Sequence, residues 1–361
     1  MSERGSRYRN VLLIEIIAEK LGFDRLSEWL PGTDIYPPYL LVAIGLFVEY
    51  GLFDTYNYLV SAKSSFVTEP NSLAIPAMTL LGVVGLRYLH DAYADAVVSL
   101  RIDDGHVDGS HRERFEGLLS LRVRVTAYVL ALAAYYAFVV GVLGFEELVA
   151  ISGVGLVLYG QLVSFPLIVI PTLVELAVSY VAVHVIVPRR LAQADVDLFF
   201  YDPRNLGGFE PVGQLLKRSY YVYTGVLLLW FLQTHAPVLL AGVIDSPYPA
   251  PGPIYQVAIS AIWFVGVLSI GYSMYRVHGL MESKREERMA ELETEIRTAV
   301  DDPYRVHPDN VDDWERYEQV QEKITHVRNT STYPTTFAMW SQIFVSVLLP
   351  QVLNMAVSLP A

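Results

Sequence analysis

Two carboxylates stand inside apolar runs of the chain, Glu49 near the middle of one and Glu175 within another. A charge in hydrocarbon surroundings is costly unless it faces protein or water. Such residues are therefore the first candidates for a polar cavity, a ligand contact, or a proton or cation path. The competing reading is a structural ion pair or a neutral, hydrogen-bonded carboxyl. Arg87 and His184 lie toward the ends of similar runs, where a long or amphipathic side chain snorkels to the interface. The last apolar run places Gln342, Ser346, Gln351, Asn354 and Ser358 in one half of a helical wheel. Val345, Leu348, Leu349 and Val352 fill the other half, and Pro350 kinks the helix on its polar side. In a central helix this polar side lines a pore that apolar residues close by dewetting. In a packed bundle the same stripe makes interhelical hydrogen bonds.

Other groups carry weaker chemistry. His106 and His111, with Asp103, Asp104 and Asp108, form an acidic cluster that offers divalent-ion ligands or, more simply, a solvated loop. Asp202-Pro203-Arg204-Asn205-Leu206-Gly207-Gly208 reads as a turn, because Asp-Pro and Gly-Gly both break helices. There is no Walker-type loop, no G-x-G-x-x-G opening a helix and no H-E-x-x-H. Neither an enzymatic activity nor a cofactor is expected. Gly153 to Gly160 lies in an apolar run, where small residues serve helix packing.

The elements that position these residues are helices long enough for a bilayer. The chain has 361 residues, of which 53% are hydrophobic and 18% charged. Its apolar residues come in blocks of roughly 20, the length that crosses a hydrocarbon core of about 30 Å. The fold expected is all-α: a polytopic helical membrane protein embedded in a lipid bilayer, with a cell-membrane location. Net charge is −12, which argues against a nucleic-acid partner, since phosphate binding needs a basic face. Cysteine is absent, so there are no disulfides and no thiolate metal sites.

Residues 1–34 carry Leu12, Leu13, Ile16, Ile17 and Leu21, interrupted by Glu15, Glu19 and Lys20 at helical spacing. They read as an amphipathic helix, interfacial or packed, and not as a signal peptide. Spans are expected near 38–60, 72–90, 125–144, 220–242, 254–278 and 337–358. Residues 148–187 hold about two span lengths broken by Pro166 and Pro171. They form either two spans with a tight turn or one span near 167–187 preceded by an outer re-entrant or surface helix. Arg112, Arg114, Arg122 and Arg124 precede this run, and Arg189, Arg190, Arg204, Lys217 and Arg218 follow it. Keeping both groups on the cytoplasmic side favours a single crossing. That gives about seven crossings, with the N-terminus inside and the C-terminus outside.

The organisation expected is an amphipathic segment over 1–34, six spans over 35–278, a cytoplasmic helical region over 279–335 and a last span over 336–361. In the cytoplasmic region Met289, Leu292, Ile296 and Ala299 form one apolar face, and Tyr317, Val320, Ile324 and Val327 form another. These two helices are expected to pair.

This arrangement of spans, orientation and a long sixth-to-seventh cytoplasmic connection resembles the insect odorant and gustatory receptor superfamily. The gustatory motif in the last helix pairs Thr-Tyr with a following Gln-Phe. Here Thr332-Tyr333 is followed at a longer interval by Gln342, Ile343 and Phe344, so no role passes to Thr332 or Tyr333. The resemblance implies a homo-tetrameric cation channel gated by a small-molecule ligand and joined through its cytoplasmic helices. Gln342, Ser346, Leu349 and Asn354 would line the pore, with Glu49 and Glu175 in or near a ligand cavity. The acidic, lysine-poor, cysteine-free composition is similar to that of haloarchaeal proteins. Two other readings stand beside it: a secondary transporter using Glu49 or Glu175, and a membrane scaffold or sensor whose cytoplasmic helices recruit a partner.

Overall fold

The computed structural model describes residues 7–30, 35–61, 65–102, 112–239, 253–300, 311 and 313–334. The pore-lining candidates Gln342, Ser346, Leu349 and Asn354 and the His106/His111 cluster lie outside the described residues. Among the described residues the regular structure is helical, apart from one isolated antiparallel bridge between Val300 and Val311.

Two short helices, α1 (Leu13–Lys20) and α2 (Phe23–Trp29), open the chain. Four helices long and apolar enough to cross a membrane follow: α3 (Pro37–Ser61), α4 (Pro70–Ser99), α5 (Leu121–Leu143) and α7 (Val154–Gln193). The short α6 (Phe145–Ser152) precedes α7. Beyond them lie α8 (Glu210–Leu239), α9 (Pro253–Arg297) and α10 (Trp314–Asn329).

The double-length run resolves into one helix. Its only break is at Gly153, whose φ of +75° suits a residue without a Cβ and ends α6. From Val154 the chain stays helical for 40 residues, about 60 Å at 1.5 Å per residue. Pro166 and Pro171 do not turn it. Pro166 lies in a π-helical stretch, Gly160–Val169, whose wider turn accommodates the missing N–H, and Pro171 sits at the start of the α-helix that follows. Further π-helical stretches occur in α3 (Phe47–Asp54) and again in α7 (Ala182–Ile186).

Small residues bring the helices together. A Cβ on Gly85 of α4 would stand 2.3 Å from Val222 of α8, and one on Gly82 would stand 2.8 Å from Thr172 of α7. Gly266 of α9 faces the Tyr223 ring in the same way, at 2.7 Å. Such contacts let backbones approach closely where no hydrophobic effect drives helices together. Around them Leu89, Tyr93, Tyr180, Leu216, Tyr220 and Met274 form a continuous buried core.

The outer surface is as informative as the core. On α5, Val129, Leu130 and Val140 are 53%, 65% and 74% exposed, on a helix of mean hydropathy 2.0. An apolar face this extensive is stable only against lipid or another protein surface. At one end of the bundle α9 changes character and becomes a charged rod. There Leu292, flanked by Met289 and Ile296, packs on Val320, Ile324 and Val327 of α10. Asp313 caps α10 by accepting the Arg316 N–H at 3.0 Å.

Candidate functional sites

Glu175 is fully buried on α7 and is paired. Arg124 of α5, 3% exposed, donates to its Oε1 at 2.6 Å, and the Leu13 N–H donates to its Oε2 at 2.7 Å. The same guanidinium nitrogen reaches the Val11 carbonyl at 2.6 Å. One ion pair thus satisfies the backbone at the start of α1 and holds the N-terminal segment inside the bundle. Asn10 adds to the hold by accepting the Leu118 N–H at 2.6 Å and donating to the Leu119 carbonyl at 2.9 Å. The amphipathic segment is therefore packed, with Leu12, Leu13, Ile14 and Ala18 buried.

Sequence spacing missed this arrangement. Arg124 looks like a loop cation preceding a span, whereas the structure places it one turn inside α5 and facing α7. Its partner is 51 residues away, and no local pattern signals a pair at that distance.

A second polar group centres on Glu49 in the π-helical part of α3. Ser164, in the π-helical part of α7, donates to Glu49 Oε2 at 2.5 Å. Near it Gln161 donates to the Tyr135 hydroxyl at 3.0 Å, and Tyr159 donates to the Gly45 carbonyl at 3.0 Å. Glu49 is 7% exposed, and among the described residues no cation lies within ion-pair distance of it. The two carboxylates therefore differ in kind: Glu175 is neutralised by an arginine, and Glu49 has a hydroxyl partner. They are not brought into one site.

His184 is buried completely and does not reach the surface expected for a snorkelling residue. Its ring lies 4.3 Å from that of Tyr180, and neither ring nitrogen has a hydrogen-bond partner among the described residues. Arg87 is at the surface, 43% exposed, over the Tyr36 ring.

A half-open cavity of about 620 Å³ lies between α4, α7, α8 and α9. Met78, Leu176, Ala177, Tyr223, Trp230 and Val265 are among its lining residues, which are apolar with few exceptions. A concavity of this size and lining accepts a small hydrophobic molecule. No sequence pattern marks it, because each lining residue reads as ordinary core.

A fourth site joins the charged half of α9 to the bundle. Asp202 accepts the backbone N–H groups of Arg204, Leu206 and Gly208 at 3.0–3.1 Å, closing the Asp-Pro…Gly-Gly segment into a loop. Asn205, Gly207 and Gly208 take positive φ within it. The loop offers the Asn205 carbonyl to the Ser331 N–H at 2.7 Å. On the other side the Thr332 carbonyl meets His278 Nδ1 at 2.9 Å, and the Tyr333 ring stacks on the His278 ring at 4.2 Å. Lys284 ties α9 to the same region through Asp195 at 2.9 Å and Asp197 at 3.4 Å. Burial alone would lower the Lys284 ammonium's pKa, but the carboxylates of Asp195, Glu287 and Asp197 outweigh it and hold it above the usual lysine range. Residues 330–334, which lead into the last apolar run, are thus gripped from two sides.

Desolvation alone would raise the Asp202 carboxyl, but three backbone N–H groups outweigh it and hold its pKa below the ordinary value. A depressed carboxylate contributes stability above its unfolded pKa of about 3.9, and that contribution is lost as pH falls through the folded value. The loop is therefore expected to loosen in acid. Asp202→Asn should produce the same loosening at neutral pH. Amide exchange at Arg204, Leu206 and Gly208 should rise at least tenfold in this variant, and unchanged exchange would contradict the capping role.

Comparison with known proteins returns no matching family model, no matching characterised protein and no matching solved structure.

Proposed function

We propose that the protein is a multi-pass membrane receptor acting as a homo-oligomeric ligand-gated cation channel, with a small hydrophobic molecule in the apolar cavity as its ligand. On this reading the chain crosses the bilayer about seven times, with the charged half of α9 and α10 in the cytoplasm. The observation that carries it is the double role of α9. Ala261, Ile262 and Val265 of this helix line the cavity, and the same helix continues unbroken to His278 and Arg285, which contact Thr332, Tyr333 and Thr330 in the segment leading into the last apolar run. A ligand that spreads or tightens the cavity moves this rod, and the rod moves the base of the helix carrying Gln342, Ser346, Leu349 and Asn354. Those residues are proposed to line the pore, with Leu349 as its apolar gate.

The test is conductance of purified protein in liposomes titrated with small hydrophobic molecules. Cation current that saturates with ligand is expected, from an oligomer in detergent. Filling the cavity with Ala177→Trp should abolish the response and leave the oligomer intact. A strictly monomeric protein without conductance would overturn the proposal.

Glu49 favours a second reading. A buried carboxylate without a cationic partner among the described residues, set among backbone offset by π-helical turns, suits a proton or cation site of a secondary transporter. Flux coupled to pH and lost in Glu49→Gln would select this reading, and insensitivity to that substitution would reject it.

A further inference from the structure

Several cation–ring pairs lie in one layer of the bundle. The Arg87 guanidinium lies 4.4 Å from the Tyr36 ring centroid and 5.7 Å from that of Tyr39. Arg218 sits over Tyr88 at 5.4 Å, and Lys217 over Tyr221 at 5.8 Å. Arg189 sits over Tyr272 at 5.4 Å and donates to its hydroxyl at 2.8 Å.

Their common depth follows from helix geometry. Tyr180 stacks on Tyr223 at 4.0 Å and donates to the Gly266 carbonyl at 2.7 Å, so these three residues mark one level of α7, α8 and α9. At 1.5 Å per residue, Arg189, Lys217 with Arg218, and Tyr272 all lie about 8–13 Å from that level. Each is displaced toward the end where the charged half of α9 begins. On α4, Gly85 faces Val222, which puts Arg87 and Tyr88 about 4–6 Å from that level, at the near edge of the layer.

Among the described residues, Arg189, Lys217 and Arg218 have tyrosine partners and no carboxylate within ion-pair distance. Some other cations do pair with acids: Arg87 reaches Asp91 at 4.0 Å, Arg9 meets Glu15 and Asp91, and Lys284 meets Asp195. On the apolar side of this layer stand exposed Val84, Val265 and Leu268. A stacked guanidinium keeps outward-facing N–H donors free for a phosphate, while its ring partner faces hydrocarbon.

We infer that this belt is a binding surface for acidic phospholipid headgroups, which it holds at the cytoplasmic boundary of the bilayer. The acidic class is selected because Arg189, Lys217 and Arg218 have no counter-charge among the described residues, whereas a zwitterionic headgroup carries its own cation. The inference rests on the membrane reading above.

The test is retention of phosphatidylglycerol and phosphatidylcholine by the full chain in mixed-lipid nanodiscs, counted by native mass spectrometry after release. The variants are the triple Arg189→Gln, Lys217→Gln, Arg218→Gln, its single members, and Arg328→Gln on α10 as a charge-matched control. Phosphatidylglycerol retention should fall about fivefold per cation removed. Phosphatidylcholine retention and the control should not change, and inorganic phosphate should not displace the lipid. The single variants read the same effect if the triple variant does not fold. Equal phosphatidylglycerol retention in all variants, an equal fall in the control, or displacement by inorganic phosphate would each overturn the inference. A chain that needs no detergent overturns the membrane reading itself; one that needs detergent yet ignores headgroup charge overturns only this inference.

Discussion

Replacing Glu175 by leucine is expected to destabilise the detergent-solubilised protein by about 3–5 kcal/mol. The substitution leaves the Arg124 guanidinium, 3% exposed, buried without its counter-charge. Removing both partners is a different case. The double variant Arg124→Met, Glu175→Leu exchanges the pair for apolar groups of similar volume, and most of the lost stability should return. The double variant should not restore the N-terminal segment, because the Leu13 N–H and the Val11 carbonyl have both lost their partners. Amide exchange at Leu13 is therefore expected to stay fast while the unfolding midpoint recovers. A single variant as stable as the parent would show that the pair does not hold the fold.

Gly85→Leu should be at least as damaging, through packing and without any charge. A single Cβ at this position already comes within 2.3 Å of the Val222 side chain, so α4 and α8 must separate to admit a larger group. Overpacking in a well-filled core costs about 1–3 kcal/mol even when modest, which is the range expected of Gly85→Ala. The leucine variant is expected to fail to accumulate as a folded species. Combining Gly85→Ala with Val222→Ala makes room and should return the midpoint to near the parent value. Thermal unfolding in detergent, followed by tryptophan fluorescence, measures all three. A Gly85→Leu protein that unfolds like the parent would mean the two helices are not in close contact.

Helical class and the existence of long apolar segments were legible in the sequence, because block length and charge depletion are local properties. The charges on either side favoured a single crossing near 167–187, but the continuous helix over Val154–Gln193 was not legible, since two prolines read locally as breaks. What cancels those breaks is a π-helical stretch, and no residue pattern announces one. The polar sites show the same division. Glu49 and Glu175 stand out because a carboxylate in an apolar run is conspicuous, yet their different states depend on Arg124 and Ser164, which are distant in sequence. The Asp202 turn was readable as a turn, while its grip on Ser331 depends on a contact across the chain. The apolar cavity was invisible, because a concave space has no residue type of its own.

The absence of cysteine permits a direct test of the solvent around these helices, since any introduced thiol is unique. Leu130→Cys on α5 and Glu287→Cys on the charged half of α9 are both on exposed positions. In membranes opened to both faces, a membrane-impermeant maleimide should label Glu287→Cys rapidly and leave Leu130→Cys unmodified until the bilayer is dissolved. Equal labelling of the two thiols in the absence of detergent would mean that water, not lipid, surrounds α5, and would contradict a membrane location for these helices.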